Sequence, residues 1–253
     1  SGASCTTSDE TPVAINAPMG LLTEAMLRRI GKHCGLGSRT RVLTIGFDGG
    51  AAPAFLAREF AAKVVAADAD DDAVTRQRSA LRAHGAEDRV SARRVDYERL
   101  PFGEHEFEAI VLEALAMRLD VAARALRRHL ALDGRLCLTH PVRVGRFPNP
   151  AMIRLWEQKI GEPLRLPSEC LQAMEREGYE PQTAEVLDDS ALEAYYRQLE
   201  HAHGANGEPG PSPEIQEEVA LFRSQGGRAG ASFAMLVARR REPGEKPPVA
   251  HNE

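Results

Sequence analysis

Between residues 41 and 139 short apolar runs alternate with stretches of helical periodicity, and this alternation restricts the fold more than any other feature of the chain. The runs 41–45, 63–67, 90–95, 107–112 and 135–139 are rich in Val, Ile, Leu and Ala and read as strands. Helical spacing occupies 51–62, 71–84 and 121–130, with Gly85 and Gly134 as stops. Strands joined by helices at this spacing predict a parallel sheet covered on both faces.

The flanks extend the pattern. Residues 1–19 are small and polar with scattered Pro and are expected to form a flexible N-terminal arm, and 20–34 should be a helix feeding the first strand. After Pro148 and Pro150, helices are expected at 151–160 and 168–177, a strand at 179–187, helices at 189–202 and 214–224, and a last strand at 231–238. One domain at 20–240 follows, with its ligand-binding half at 41–140 and a helical insertion at about 189–229. Residues 241–253 read as a flexible tail.

Several function classes lose support. A net charge of −5 provides no general attraction to nucleic acid or anionic lipid, so neither is expected as a partner. The adjacent pairs Arg93–Arg94 and Arg127–Arg128 read as solvated faces. Cys5, Cys34, Cys137 and Cys170 lie far apart, which disfavours a disulfide framework or thiolate cluster. His201 and His203 lack a convergent third ligand, so no metal is expected. No G-x-S-x-G elbow occurs. No apolar run is long enough to cross a bilayer, and the start lacks a basic-then-apolar leader, so a cytoplasmic protein is expected.

The first strand ends in glycines, Gly46 through Gly50, and runs into an Ala-rich helix whose Pro53 is tolerated in the first turn. Missing side chains let the backbone approach a ligand, and the free amides of the helix start then face it. Asp68 ends the second strand about twenty residues on, where a carboxylate can accept both hydroxyls of a ribose. Its alternative role is helix N-cap, which Asp70 to Asp72 can fill instead. Asp96, with Tyr97, sits at the tip of the third strand, where it can accept an adenine amine or simply form a solvated turn. Phe47 or Leu100 could sandwich the ring.

With these residues in view, the chain resembles a family. The run 41–50, RVLTIGFDGG, is similar to the first motif of class I methyltransferases, V-L-D-x-G-x-G-x-G, and Asp68 falls at the family's ribose acid. Asp96, Tyr97 and the segment Leu100-Pro101-Phe102 resemble the family's D-x-x-x-L-P-F stretch. Residues 107–111 and 125–138 are similar to its fourth strand and its approach to the fifth. The resemblance implies a three-layer, Rossmann-like α/β fold with a mostly parallel seven-stranded sheet, an antiparallel last strand and a helical insertion before it. It also implies S-adenosylmethionine as cofactor, S-adenosylhomocysteine as product, and transfer of a methyl group to a small molecule. Gly46, Phe47, Asp48, Gly50, Asp68, Asp96, Tyr97 and Glu113 become the expected cofactor contacts.

Two positions depart from the family pattern. Thr44 stands where an acid is usual, and Asp48 replaces the second glycine. Asp48 either directs its carboxylate to the methionyl ammonium or fills the pocket, leaving a catalytically inactive binding or partner protein. An acid in this turn opposes a pyrophosphate more than a sulfonium, which favours S-adenosylmethionine over a dinucleotide. His140, expected just past strand five, is the candidate general base, with a turn-stabilising role as its rival. Arg143 and Arg146 could meet an anionic acceptor. Tyr195, Tyr196 and Phe222 could line its pocket or simply pack the insertion. A homodimer is compatible with this reading.

Overall fold

The computed structural model describes residues 21–47, 49–113, 117–146, 148–201, 211–224, 230–242 and 244. The arm, most of the tail and Asp48 therefore lie outside the described residues, as do His203 and parts of the insertion.

Fifteen elements follow one another: α1 (Glu24–His33), β1 (Arg41–Ile45), α2 (Ala51–Phe60), β2 (Lys63–Asp68), α3 (Asp71–Ala83), β3 (Val90–Arg94), β4 (Phe107–Leu112), α4 (Leu119–Arg127), β5 (Leu130–Arg143), α5 (Pro150–Ile160), α6 (Pro167–Arg176), β6 (Tyr179–Val186), α7 (Asp189–Glu200), α8 (Pro213–Ser224) and β7 (Ala231–Arg240). The strands form one sheet in the order β3-β2-β1-β4-β5-β7-β6. β1 pairs in parallel with β2 and β4, and β7 runs antiparallel to both β5 and β6.

Burial explains the residue choice. β1, β4 and β7 have both faces covered, so they are continuous apolar runs rather than alternating ones. The edge strand β3 carries Arg93 and Arg94, charges that discourage pairing with another chain. One face packs Val42, Val64, Val111 and Cys137 against α1, α2, α5, α7 and α8, and Trp156 meets Phe233 edge-on at 4.8 Å. The other packs Leu43, Ile110, Leu136 and Leu138 against α4 and α6.

Two elements differ from their expected bounds. The helix expected at 121–130 begins at Leu119 and ends at Arg127, because Leu130 already pairs with Phe107. The fifth strand, expected at 135–139, extends from Leu130 to Arg143. The turn at Gly134 is absorbed as an irregularity, since the register jumps from Phe107↔Leu130 to Ala109↔Arg135 and Asp133 takes φ 61°. The outer end lengthens because Thr139 to Arg143 find partners on β7, Met235 to Ala231.

Candidate cofactor site

The C-terminal tips of β1, β2, β3 and β4 lie side by side, and the turn after β1 is held from several directions. Gly46 (φ 82°) donates its amide to Ala67 O at 3.2 Å. Gly50 (φ 69°) is the N-cap of α2 and supplies no side-chain cap. A Cβ there would lie 3.0 Å from Gln77 Cα and 3.1 Å from Gln77 O, so both conformation and space require glycine. Gln77, fully buried on α3, donates to Phe47 O at 2.9 Å and fixes the turn from beneath. It went unnoticed in sequence, although a polar residue in the apolar stripe Ala73, Val74, Leu81 is a readable signal. Phe47 packs into the core beside α2 and is 3% exposed. Among the described residues the first amides of α2 receive no side-chain acceptor, the arrangement that suits a helix start for a ligand oxygen.

Asp70, not Asp68, caps α3, accepting from Asp72 N at 3.2 Å and Ala73 N at 3.1 Å. Asp68 accepts from Asp70 N at 3.0 Å and lies close to the Tyr97 phenol. Burial first, and then this carboxylate, push the Tyr97 phenol well above its usual pKa, so it remains a donor. The structure thus joins two residues that the sequence treated separately. Asp96 is exposed and accepts from Glu98 N at 2.9 Å in a tight turn. Glu113 continues the β1–β4 ladder through its amide to Ile45 O at 2.9 Å, and its Oε1 accepts from Leu21 N at 3.0 Å. The lead-in to α1 is thereby tied over the tip of β4.

Thr44 is 1% exposed and donates its hydroxyl to Val65 O at 3.4 Å, a bond internal to the sheet. His140 is not past the end of β5 but inside it, 3% exposed on the α4/α6 face. Its Nε2 lies 3.8 Å from Glu162 Oε1, which accepts from Leu119 N, while Glu162 Oε2 lies 2.8 Å from Arg165. Burial, and then the Arg165 charge, hold the imidazole down at a pKa of about 4, so it is neutral at physiological pH. The expectation that it opens into the cleft is therefore corrected: the 161–166 segment seals it off. Arg143 is half-buried beside that segment, its amide donating to Arg165 O.

The insertion aromatics divide. Tyr196 and Phe222 stack at 3.7 Å and pack the insertion. Tyr195 is half-buried, edge-on to Phe233 at 5.4 Å, and close enough to Glu113 and Glu218 that burial and both carboxylates raise its pKa. Lys159 forms a contact with the buried Glu218 beneath it. His201 turns back to Arg197 O at 2.6 Å, and no group of potential metal ligands occurs among the described residues.

Residues 42–134 match the family model described as a methyltransferase domain. The whole sheet aligns with the cyclase SpnF at TM-score 0.70 and 21% identity, covering 87% of this chain and 82% of that one. It has a class I methyltransferase fold. The same methyltransferase architecture appears in a geranyl diphosphate methyltransferase bound to SAM, at TM-score 0.66 and 17% identity over 86% of this chain and 85% of that one. A putative sarcosine dimethylglycine methyltransferase from Galdieria sulphuraria aligns at TM-score 0.68 and 16% identity, over 86% and 85%. An uncharacterized protein of Haemophilus influenzae is 26% identical over 113 residues, 43% of this chain and 45% of that protein. Because one of these methyltransferase-fold proteins is a cyclase, the fold by itself leaves the reaction open. No helix among the described residues is long and apolar enough to cross a membrane.

Proposed function

We propose that this chain binds S-adenosylmethionine across the tips of β1 to β4 and transfers its methyl group to a small molecule. The observation that carries the reading is the pairing of an uncapped, glycine-led α2 start with an Asp68 relieved of capping by Asp70. The adenosine end fits the residues present. Asp68 would accept the ribose hydroxyls, with Tyr97 holding the carboxylate in place. Asp96 would meet the adenine from its turn, and the amides at Gly46, Phe47 and Gly50 would border the sugar and the chain beyond it. Glu113, tied to Leu21, stands at the methionyl side. When bound, the sulfonium supplies an activated methyl group and a good leaving group.

The chain's own task is then alignment and exclusion of water. The half-buried Tyr195, backed by the core residue Phe233, stands near Glu113, where an acceptor would sit. Because its phenol remains protonated, Tyr195 would orient the acceptor as a hydrogen-bond donor and would not take its proton. His140 is walled in and weakly basic, so a general-base role finds no support in its surroundings.

Thr44 favours a second reading, a binding protein without catalysis, since its hydroxyl is spent on Val65 O where an acid would face the methionyl amine. Titration calorimetry with S-adenosylmethionine and S-adenosylhomocysteine distinguishes them. Binding of both at micromolar level, with turnover on an acceptor panel, supports the enzyme; failure of both to bind at about 1 mM, a free energy of only about −4 kcal/mol, overturns the cofactor assignment.

A further inference from the structure

At the opposite edge of the sheet, where β4 and β5 begin and β7 ends, a cavity of about 350 Å³ opens beside the C-terminus of α4. Its walls bring four guanidinium groups, from Arg124, Arg127, Arg128 and Arg240, against two carboxylates, Glu104 and Glu177. Arg124 is spoken for, since its fork meets Glu177 at 2.8 and 3.1 Å. Among the described residues the other three form no ion pair.

What they do contact is neutral. Arg127 donates to Gly178 O at 3.3 Å and to Arg241 O at 3.0 Å. Gly178 makes room for it, because a Cβ there would lie 2.7 Å from Arg127 Nε. Arg240 donates to Leu130 O and approaches His105 Nδ1 at 2.8 Å, which requires that nitrogen to be unprotonated. Arg240 is 7% exposed, and its Nε is buried with no hydrogen-bond partner among the described residues. Burial and the neighbouring Arg127 charge both bring its pKa below the ordinary guanidinium value.

Placing cations in α4's last turn is ordinary helix-end chemistry, and it accounts for Arg124 and Arg127. It does not account for Arg240, which comes from β7 and is buried with only neutral hydrogen-bond acceptors, the Glu104 carboxylate acting on it from beyond ion-pair distance. A buried guanidinium without a direct ion pair is costly. The excess of positive charge in a cavity of this size is the complement of a compact, doubly charged oxyanion, and guanidinium forks match its geometry. We propose that this cavity is a binding site for a phosphate group, free or carried as a monoester, separated from the cofactor edge by the length of β5.

The test uses the full chain and three probes: inorganic phosphate, inorganic pyrophosphate and a sugar phosphate monoester, each titrated by calorimetry at low ionic strength with matched chloride as control. Saturation at about 1 mM or below is expected for at least one probe. Arg128→Gln, an exposed substitution, should weaken it about tenfold, and Glu104→Gln should tighten it, with the ligand-free melting temperature unchanged in both. A monoester that outcompetes inorganic phosphate identifies an esterified ligand, and equal affinities identify the free ion. The proposal is overturned if no probe saturates, if chloride acts equally well, or if neither variant alters binding.

Discussion

The tips of β1 to β3 and those of β4, β5 and β7 lie on the same edge of one sheet, yet they treat polar groups in opposite ways. At the first set, Asp68 closes β2 and Asp96 stands in an exposed turn, each carboxylate accepting from a nearby backbone amide, and among the described residues the first amides of α2 have no side-chain cap. At the second, His140 and Glu162 are buried together, with the half-buried Arg165 beside Glu162. The first arrangement leaves bonding capacity for a ligand; the second shuts it away from solvent, with His140 Nε2 buried and making no hydrogen bond among the described residues, so its cost appears in folding rather than binding.

The largest test of that contrast is pH. Because the His140 pKa is held at about 4, below its usual 6.5, the unfolded chain takes up the proton first as pH falls. The stability tied to neutral His140 is fully present above about pH 6.5 and is lost progressively down to about pH 4, for a total of about 3 kcal/mol. Urea unfolding from pH 7 to 4 should show this loss, and His140→Gln should flatten it while leaving S-adenosylmethionine affinity unchanged. An affinity change comparable to that of a β2-tip variant would erase the division between the two sets.

Asp68→Ala should have the converse signature. Loss of the charged hydrogen bonds to the ribose should weaken S-adenosylmethionine by about 1.5 to 3 kcal/mol, or roughly 10- to 150-fold, read by calorimetry. Its thermal stability should barely move, because Asp70 already caps α3. Smallest is Asp70→Ala, expected to cost about 1 kcal/mol of stability through the lost cap with no change in affinity. A loss of binding there would mean that the two neighbouring acids share one role.

The same contrast explains what could be read from the sequence. Strand, glycine turn, helix and acid follow one another locally at the β1 to β3 tips, so the strand at 41–45, the turn at Gly46 to Gly50 and the acids could be located from spacing alone. His140 could not, because its seal comes from Glu162 and Arg165, brought back by a helix and a loop. The C-terminal end of β5 was misjudged for a related reason: its extra pairs are made with β7, about ninety residues later in the chain. The arginines of the lower cavity come from α4 and β7, and only the Arg127–Arg128 pair was visible as neighbours.

The position of β7 has a consequence for the order in which the molecule can be assembled during synthesis. β6 is hydrogen-bonded to β7 alone, and β5 offers one whole side to it. Until residues 231–240 leave the ribosome, β6 has no strand to join, and the side of β5 bearing Leu136, Cys137 and Leu138 remains an open apolar margin. The nascent protein can therefore complete its β1 to β5 half early, but it must shield a sticky edge until its last strand slides between two that were made before it.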